Sequence, residues 1–234
     1  MMKEGLFYPV NNEFDKKMSA LKNSFRSRMN GEAAQQMTRR GITYRLNYGI
    51  AIPHIKELAQ VYDFTPVECE RLWFMEIRET MLLAAMLMPE NELTPDRMQR
   101  WRAAIINSDI AEQSAFYLFS RMAEVDGFVA DLILSDNQFH VSTAFFAAGR
   151  CLQLGKALTD GLVAQLMGVV GQPEKIADNY VLRGISLFLR QGLRRGMISP
   201  VVVHNLIGQF NGMASVSHKQ LAEELKSELL YLGH

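Results

Sequence analysis

The chain has 234 residues, 48% of them hydrophobic and 21% charged, enough to bury a core and ordinary for a globular protein. Lys+Arg equals Asp+Glu at 25 each, so no global positive field draws in nucleic acid and any basic surface must come from local clustering. The longest clean apolar run, 82–88 (LLAAMLM), is too short to span a bilayer, and the opening MMKEGLFYPVNNEF lacks the apolar stretch of a secretory signal.

Apolar residues recur at three- and four-residue spacing almost everywhere, with no sustained alternation, which predicts an all-α chain. Behind an extended N-terminal arm over residues 1–12, the spacing predicts helices over 13–29, 31–41, 53–62, 65–75, 77–88, 95–106, 109–123, 126–134, 137–153, 156–169, 173–194, 199–210 and 216–232. Thr65-Pro66 with Glu68, Thr94-Pro95 and Ser199-Pro200 each offer a cap followed by a proline at the first helical position. Ser217 to Gln220 reads as a further capping box. Two helices with their turns occupy roughly 35–45 residues, the size of a HEAT-type unit. The cadence therefore predicts one domain over 1–234, an α-solenoid (α-α superhelix) of HEAT-like helical repeats. Cys69 and Cys151 lie far apart in helical stretches, as expected of reduced, buried thiols in a cytoplasmic protein.

One segment departs from the helical pattern: Asn47 to Gln60, NYGIAIPHIKELAQ. Gly49 can take a positive φ, Pro53 suits a helix's first turn, and Ile52 before it favours extended backbone. Tyr48, Ile50 and Ile52 then pack beneath neighbouring helices, and the stretch is a joint. His54 has no nucleophile or carboxylate companion in the pattern, so it reads as structural or solvent-facing.

The run Tyr48-Gly49-Ile50, Ile52-Pro53, Ile55 to Ala59 resembles the joint of the bacterial DNA alkylation repair family, whose best-known members are HEAT-like alkylpurine DNA glycosylases. Leu72-Trp73, then Glu76, Arg78, Glu79 and MLLAAMLM, resembles that family's next helix pair. The likeness is clear over roughly residues 35–125. It implies DNA as partner, with an aromatic, a carboxylate, an arginine and a second tryptophan as the excision set. Aromatic faces would hold the cationic alkylpurine, and the carboxylate would stabilise positive charge on the sugar.

Placed on this chain, the set is largely missing. The carboxylate falls at Glu112, but Ser108 stands where the aromatic belongs. Ser142 and Thr143 stand in place of the basic pair, and Leu187 in place of the tryptophan. Asp109 and Glu112 also read as an N-cap with its N3 partner. His140, beside the missing basic pair, reads as a cap or cover of its helix.

Arg183, Arg190 and Arg194 share one helical stripe with Leu187. They could follow a DNA backbone, or form a solvated C-terminal turn whose cations suit the helix dipole. Arg39, Arg40 and Arg45 make a second basic spot, while Trp101 among its arginines reads as core. Among the motifs sought, there is no P-loop, GxGxxG, HExxH, CxxC or GxSxG, so neither metal nor cofactor is expected. The expected function is a DNA alkylation repair-like protein binding DNA on its concave face, its excision site degenerate. A protein-interaction scaffold, or an active alkylpurine glycosylase using Glu112, are the alternatives.

Overall fold

The computed structural model describes residues 11–234, and the expected arm over 1–12 lies outside them except for Asn11 and Asn12. Asn11 accepts hydrogen bonds from the Glu13 and Phe14 amides and so caps the first helix. The described residues form thirteen α-helices, each overlapping an expected one, with a single isolated bridge, Leu46 to Ile77, as their β content. They pack as two compact units that meet in sequence between Glu92 and Leu93.

The first unit holds α1 (Asn12–Arg28), α2 (Gly31–Arg39), α3 (Ile52–Val61), α4 (Pro66–Phe74) and α5 (Arg78–Leu87). α1 buries Phe14, Met18, Leu21 and Phe25, spaced four, three and four apart, so one stripe faces the core. α4 opens on the expected capping box, with Thr65 and Glu68 bonded reciprocally. α5 is buried through Ala85 and carries two charges inside, Arg78 and Glu79.

Those two charges explain the joint. The fully buried Glu79 carboxylate accepts the backbone N–H of Tyr48 at 3.1 Å and of Ile50 at 3.2 Å. Arg78 Nη1 donates to the Ile50 carbonyl at 2.7 Å and lies 3.4 Å from Glu79 Oε1. One ion pair therefore satisfies a stretch of backbone that no helix or sheet serves. Gly49 has φ +70°, and a Cβ there would stand 2.0 Å from the Asn30 carbonyl oxygen, so glycine is required twice over. Ile50 is buried, while Tyr48 and Ile52 are half-buried. The extended residue is Ala51 rather than Ile52: the Ala51 carbonyl accepts from His54 and Ile55, drawing Ile52 into α3. His54 is exposed as expected, but it does have a carboxylate companion, Glu57, one turn on in α3 and 3.3 Å away.

The second unit holds α6 (Pro95–Ala103), α7 (Ser108–Tyr117), α8 (Val125–Ile133), α9 (Gln138–Gln153), α10 (Asp160–Val170), α11 (Asn179–Arg194), α12 (Pro200–Gly212) and α13 (Val216–Tyr231). Alternate helices are neighbours: α7 packs on α9, α9 on α11, and α11 on α13, while α8 contacts both α9 and α10. Helix pairs stacked in two rows are the HEAT-like arrangement. α9 and α11 approach closely because Gly149 lies against Leu187 and Gly184 against Phe145. Trp101 is fully buried, as are both cysteines, and burial pushes the Cys151 thiol up to about 11.

Three sequence expectations shift. The helix expected over 109–123 breaks at Leu118 and resumes as a 3-10 turn, Phe119–Arg121. The one expected from 173 begins at Asn179, behind a separate 3-10 turn at Pro173–Lys175. Ser217 caps nothing: α13 opens at Val216, and His218 is buried with Nε2 3.1 Å from the Pro173 carbonyl. In each case tertiary packing overrides a local signal. Among the described residues no helix is long and apolar enough to cross a membrane.

Candidate functional site

The candidate residues gather on the α7–α9–α11–α13 row of the second unit. α7 is capped by Asn107, whose side chain accepts from the Ile110 amide at 3.0 Å. That corrects the reading of Asp109 as the cap with Glu112 at N3: an equally good capping residue lies two positions earlier and is buried. Glu112 is thereby left one turn into the helix, with no capping role.

Its partner is Arg183. The Arg183 Nη2 donates to Glu112 Oε2 at 2.9 Å, joining α7 to α11 across α9. The close α9–α11 approach makes that reach feasible. The side chain of Glu112 is 19% exposed and that of Arg183 59% exposed, so the carboxylate sits at the bottom of the pair and the guanidinium at its lip. Burial raises the Glu112 pKa above the ordinary carboxylate value; Arg183 opposes this and Asp109 adds to it. Phe146 lies 6.0 Å from the Arg183 guanidinium and meets Phe116 edge to face at 5.7 Å, with Arg150 over Phe116 at 5.8 Å. The outcome is an arginine–carboxylate–aromatic cluster whose charges largely cancel.

The other two arginines of the stripe are also matched. Arg190 Nε donates to Glu228 Oε2 at 2.9 Å, and Arg194 donates to both oxygens at 2.6 and 3.0 Å. Glu228 is buried, and its pKa is lowered chiefly by the Arg194 hydrogen bond, against the cost of burial. One carboxylate thus serves two guanidiniums, and because Glu223 and Glu224 line the same groove with Gln220, no positive surplus remains there. Ser186 donates to Glu224 at 2.6 Å beside it. Arg195 donates to the Leu152 and Gln153 carbonyls and closes the C-terminus of α9.

The remaining positions of the resemblance are occupied by packing. Ser142 and Thr143 are buried and donate to the Tyr180 and Phe139 carbonyls at 3.1 and 2.8 Å. Leu187 fills the space over Gly149. His140 bridges helices: its Nε2 lies 3.1 Å from the Arg102 carbonyl and its Nδ1 2.9 Å from the Ser135 hydroxyl. Burial, with Arg102 close by, lowers its pKa, which suits a neutral ring donating through Nε2 and accepting through Nδ1.

Residues 21–172, well over half of the chain, match the family described as DNA alkylation repair enzyme. The chain belongs to the DNA alkylation repair enzyme family. A solved structure from "a new family of proteins related to the HEAT-like repeat DNA glycosylases with affinity for branched DNA structures" aligns with a TM-score of 0.74. The alignment covers 91% of this chain and 94% of that one at 14% identity, which establishes a shared HEAT-like fold. No curated protein matches the sequence. The DNA alkylation repair family match ends before α11, so Arg183, Arg190 and Arg194 lie outside it, whereas Glu112 and the joint lie inside.

Sequence reasoning missed Phe116, Phe146 and Glu228. Glu228 was detectable in principle. It falls seven residues after Leu221 and three after Leu225, on the stripe that α13 buries, where a lone carboxylate needs a partner.

Proposed function

We propose that this chain is a single-domain DNA-binding member of the DNA alkylation repair family that does not excise alkylpurines by the family's usual set. The observation that carries this reading is the pairing of Glu112 with Arg183. A carboxylate already neutralised by a guanidinium offers little extra field to a developing oxocarbenium ion, and Ser108 supplies no aromatic face above it. The buried, hydrogen-bonded Ser142 and Thr143 likewise leave no cation there for the phosphate beside a lesion. DNA binding is supported by family membership and by the branched-DNA affinity of the structural relative. Arg183, Arg190 and Arg194 would contribute phosphate contacts through the donors that Glu112 and Glu228 leave over. Each is partly exposed, with side-chain accessibilities of 59, 38 and 40%.

Two measurements test the reading. Incubation with duplex carrying N3- and N7-methylpurines should release little or no base. Robust release that Glu112→Gln abolishes would show the carboxylate to be the catalyst and overturn the proposal. Titration with a plain duplex and a four-way junction should show salt-dependent binding to at least one. Binding to neither leaves a protein-interaction scaffold as the function of this fold.

A further inference from the structure

The zero net charge conceals a sharp local asymmetry. From Lys16 to Lys56 the sequence carries nine Lys or Arg residues and one carboxylate, Glu32, a net charge of +8 in a chain whose total is zero. The structure exposes five of these arginines on the first unit, on α2 and the chain segments that flank it. Arg26 and Arg28 end α1 beside the start of α2, and Arg39 and Arg40 stand at the end of α2. The chain then reverses at Gly41 (φ +78°) and runs back along α2. Asn47 Nδ2 reaches Met37 Sδ and the Tyr48 carbonyl accepts from the Asn30 amide, so the returning chain lies along α2, while the Arg45 amide donates to the Glu76 carbonyl. α2 spans about 13 Å, and none of its nine residues is buried.

Unlike the α11 stripe, this edge is not neutralised by any carboxylate among the described residues. Among the described residues, Arg26 bonds Asn23, Arg28 bonds the Ser24 carbonyl and Ser27, and Arg39 bonds Gln35, all uncharged acceptors. Glu32, the one acid on α2, lies with Gln36 at 3.3 Å. Arg26, Arg28 and Arg39 occupy last helical turns, where cations also complement the dipole. Arg45 belongs to no helix, so the dipole does not explain the whole set. Nor does packing, since all five side chains are exposed.

We infer that the edge formed by the C-terminal turn of α1, by α2 and by residues 40–45 is a binding surface for the DNA phosphate backbone, separate from the α11 stripe. The inference rests on the DNA-binding reading above and names where most of the electrostatic contact is made. Guanidiniums held only by neutral acceptors keep their full charge for phosphate, and a run of about 13 Å spans several phosphates of one strand. Contact of this kind is independent of base sequence and suits a duplex arm.

The test uses the full chain and three proteins: wild type, Arg39→Ala/Arg40→Ala/Arg45→Ala, and Arg183→Ala/Arg190→Ala/Arg194→Ala. Each is titrated into a labelled 20-base-pair duplex and a four-way junction between 50 and 200 mM salt, after circular dichroism and a melting curve confirm the fold. The α2-edge variant should weaken binding to both DNAs and reduce the salt slope by about 2–3 units, close to one per arginine. The α11 variant should change the slope less, because its cations are already paired. If the α2-edge variant binds with the wild-type slope while the α11 variant loses binding, the inference is overturned and DNA binding stands. If wild type binds neither DNA, the DNA-binding reading fails and takes this assignment with it. Retention of wild type, but not of the α2-edge variant, on vesicles containing phosphatidylserine would then assign the edge to a lipid surface.

Discussion

Replacing Glu79 with alanine should destabilise the protein more than removing any exposed charge. The side chain is fully buried, and its carboxylate accepts two backbone N–H groups, from Tyr48 and Ile50, while facing Arg78 at 3.4 Å. Alanine removes the acceptor of both donors, at about 1–3 kcal/mol each. It also strips the buried Arg78 of a carboxylate, and breaking such a pair generally costs about 3–5 kcal/mol. The terms overlap, so about 3–5 kcal/mol is expected in total, or roughly 6–20 °C in melting temperature for a chain this size. Glu79→Gln should lose about 2–3 kcal/mol, because the amide oxygen still serves one N–H while its NH2 faces the other. Urea denaturation followed by circular dichroism gives both values. A loss below about 1 kcal/mol for Glu79→Ala would refute the claim that this carboxylate holds the joint.

Gly49→Ala should be comparably damaging, since the new Cβ meets the Asn30 carbonyl oxygen at 2.0 Å with φ at +70°; a melting temperature within 2 °C of wild type, roughly what 1 kcal/mol produces, would contradict the close approach. Glu228 gives an acid-side signature. Its folded pKa lies below the ordinary value near 4.5, so its stabilisation is complete above that pH and is lost as pH falls through the folded value. Wild type should therefore lose stability more steeply than Glu228→Gln below pH 4.5, and parallel curves would deny the Arg194 and Arg190 pairing. Glu112 has the opposite sign: a raised folded pKa means stability is lost as pH rises above 4.5, so Glu112→Gln should melt no lower than wild type at neutral pH. His140, with its lowered pKa, contributes stability that is present above pH 6.5 and lost as pH falls below it, and His140→Phe should flatten that part of the stability–pH curve.

Helix content and order were legible in the sequence because apolar spacing and proline-led caps are local signals. All thirteen expected helices have a counterpart, and Thr65, Thr94 and Ser199 cap as their patterns imply. The joint was legible too, since positive φ at Gly49 is a backbone requirement that few residues meet. The shifted boundaries lie where tertiary contact decides, as where α13, with His218 buried against Pro173, opens two residues earlier than Ser217 suggests. Charge was the least legible quantity. The stripe of Arg183, Arg190 and Arg194 follows from helical spacing alone, but that spacing says nothing about Glu112, 71 residues away, or Glu228, 34 residues beyond Arg194. Whether an arginine is open to phosphate depends on what the fold sets beside it, and Coulomb energy falls with distance in space rather than along the chain. The sequence by itself determined the helices, the joint and the family; only the tertiary structure decided that the α11 arginines are largely neutralised, while among the described residues those along α2 meet only uncharged acceptors.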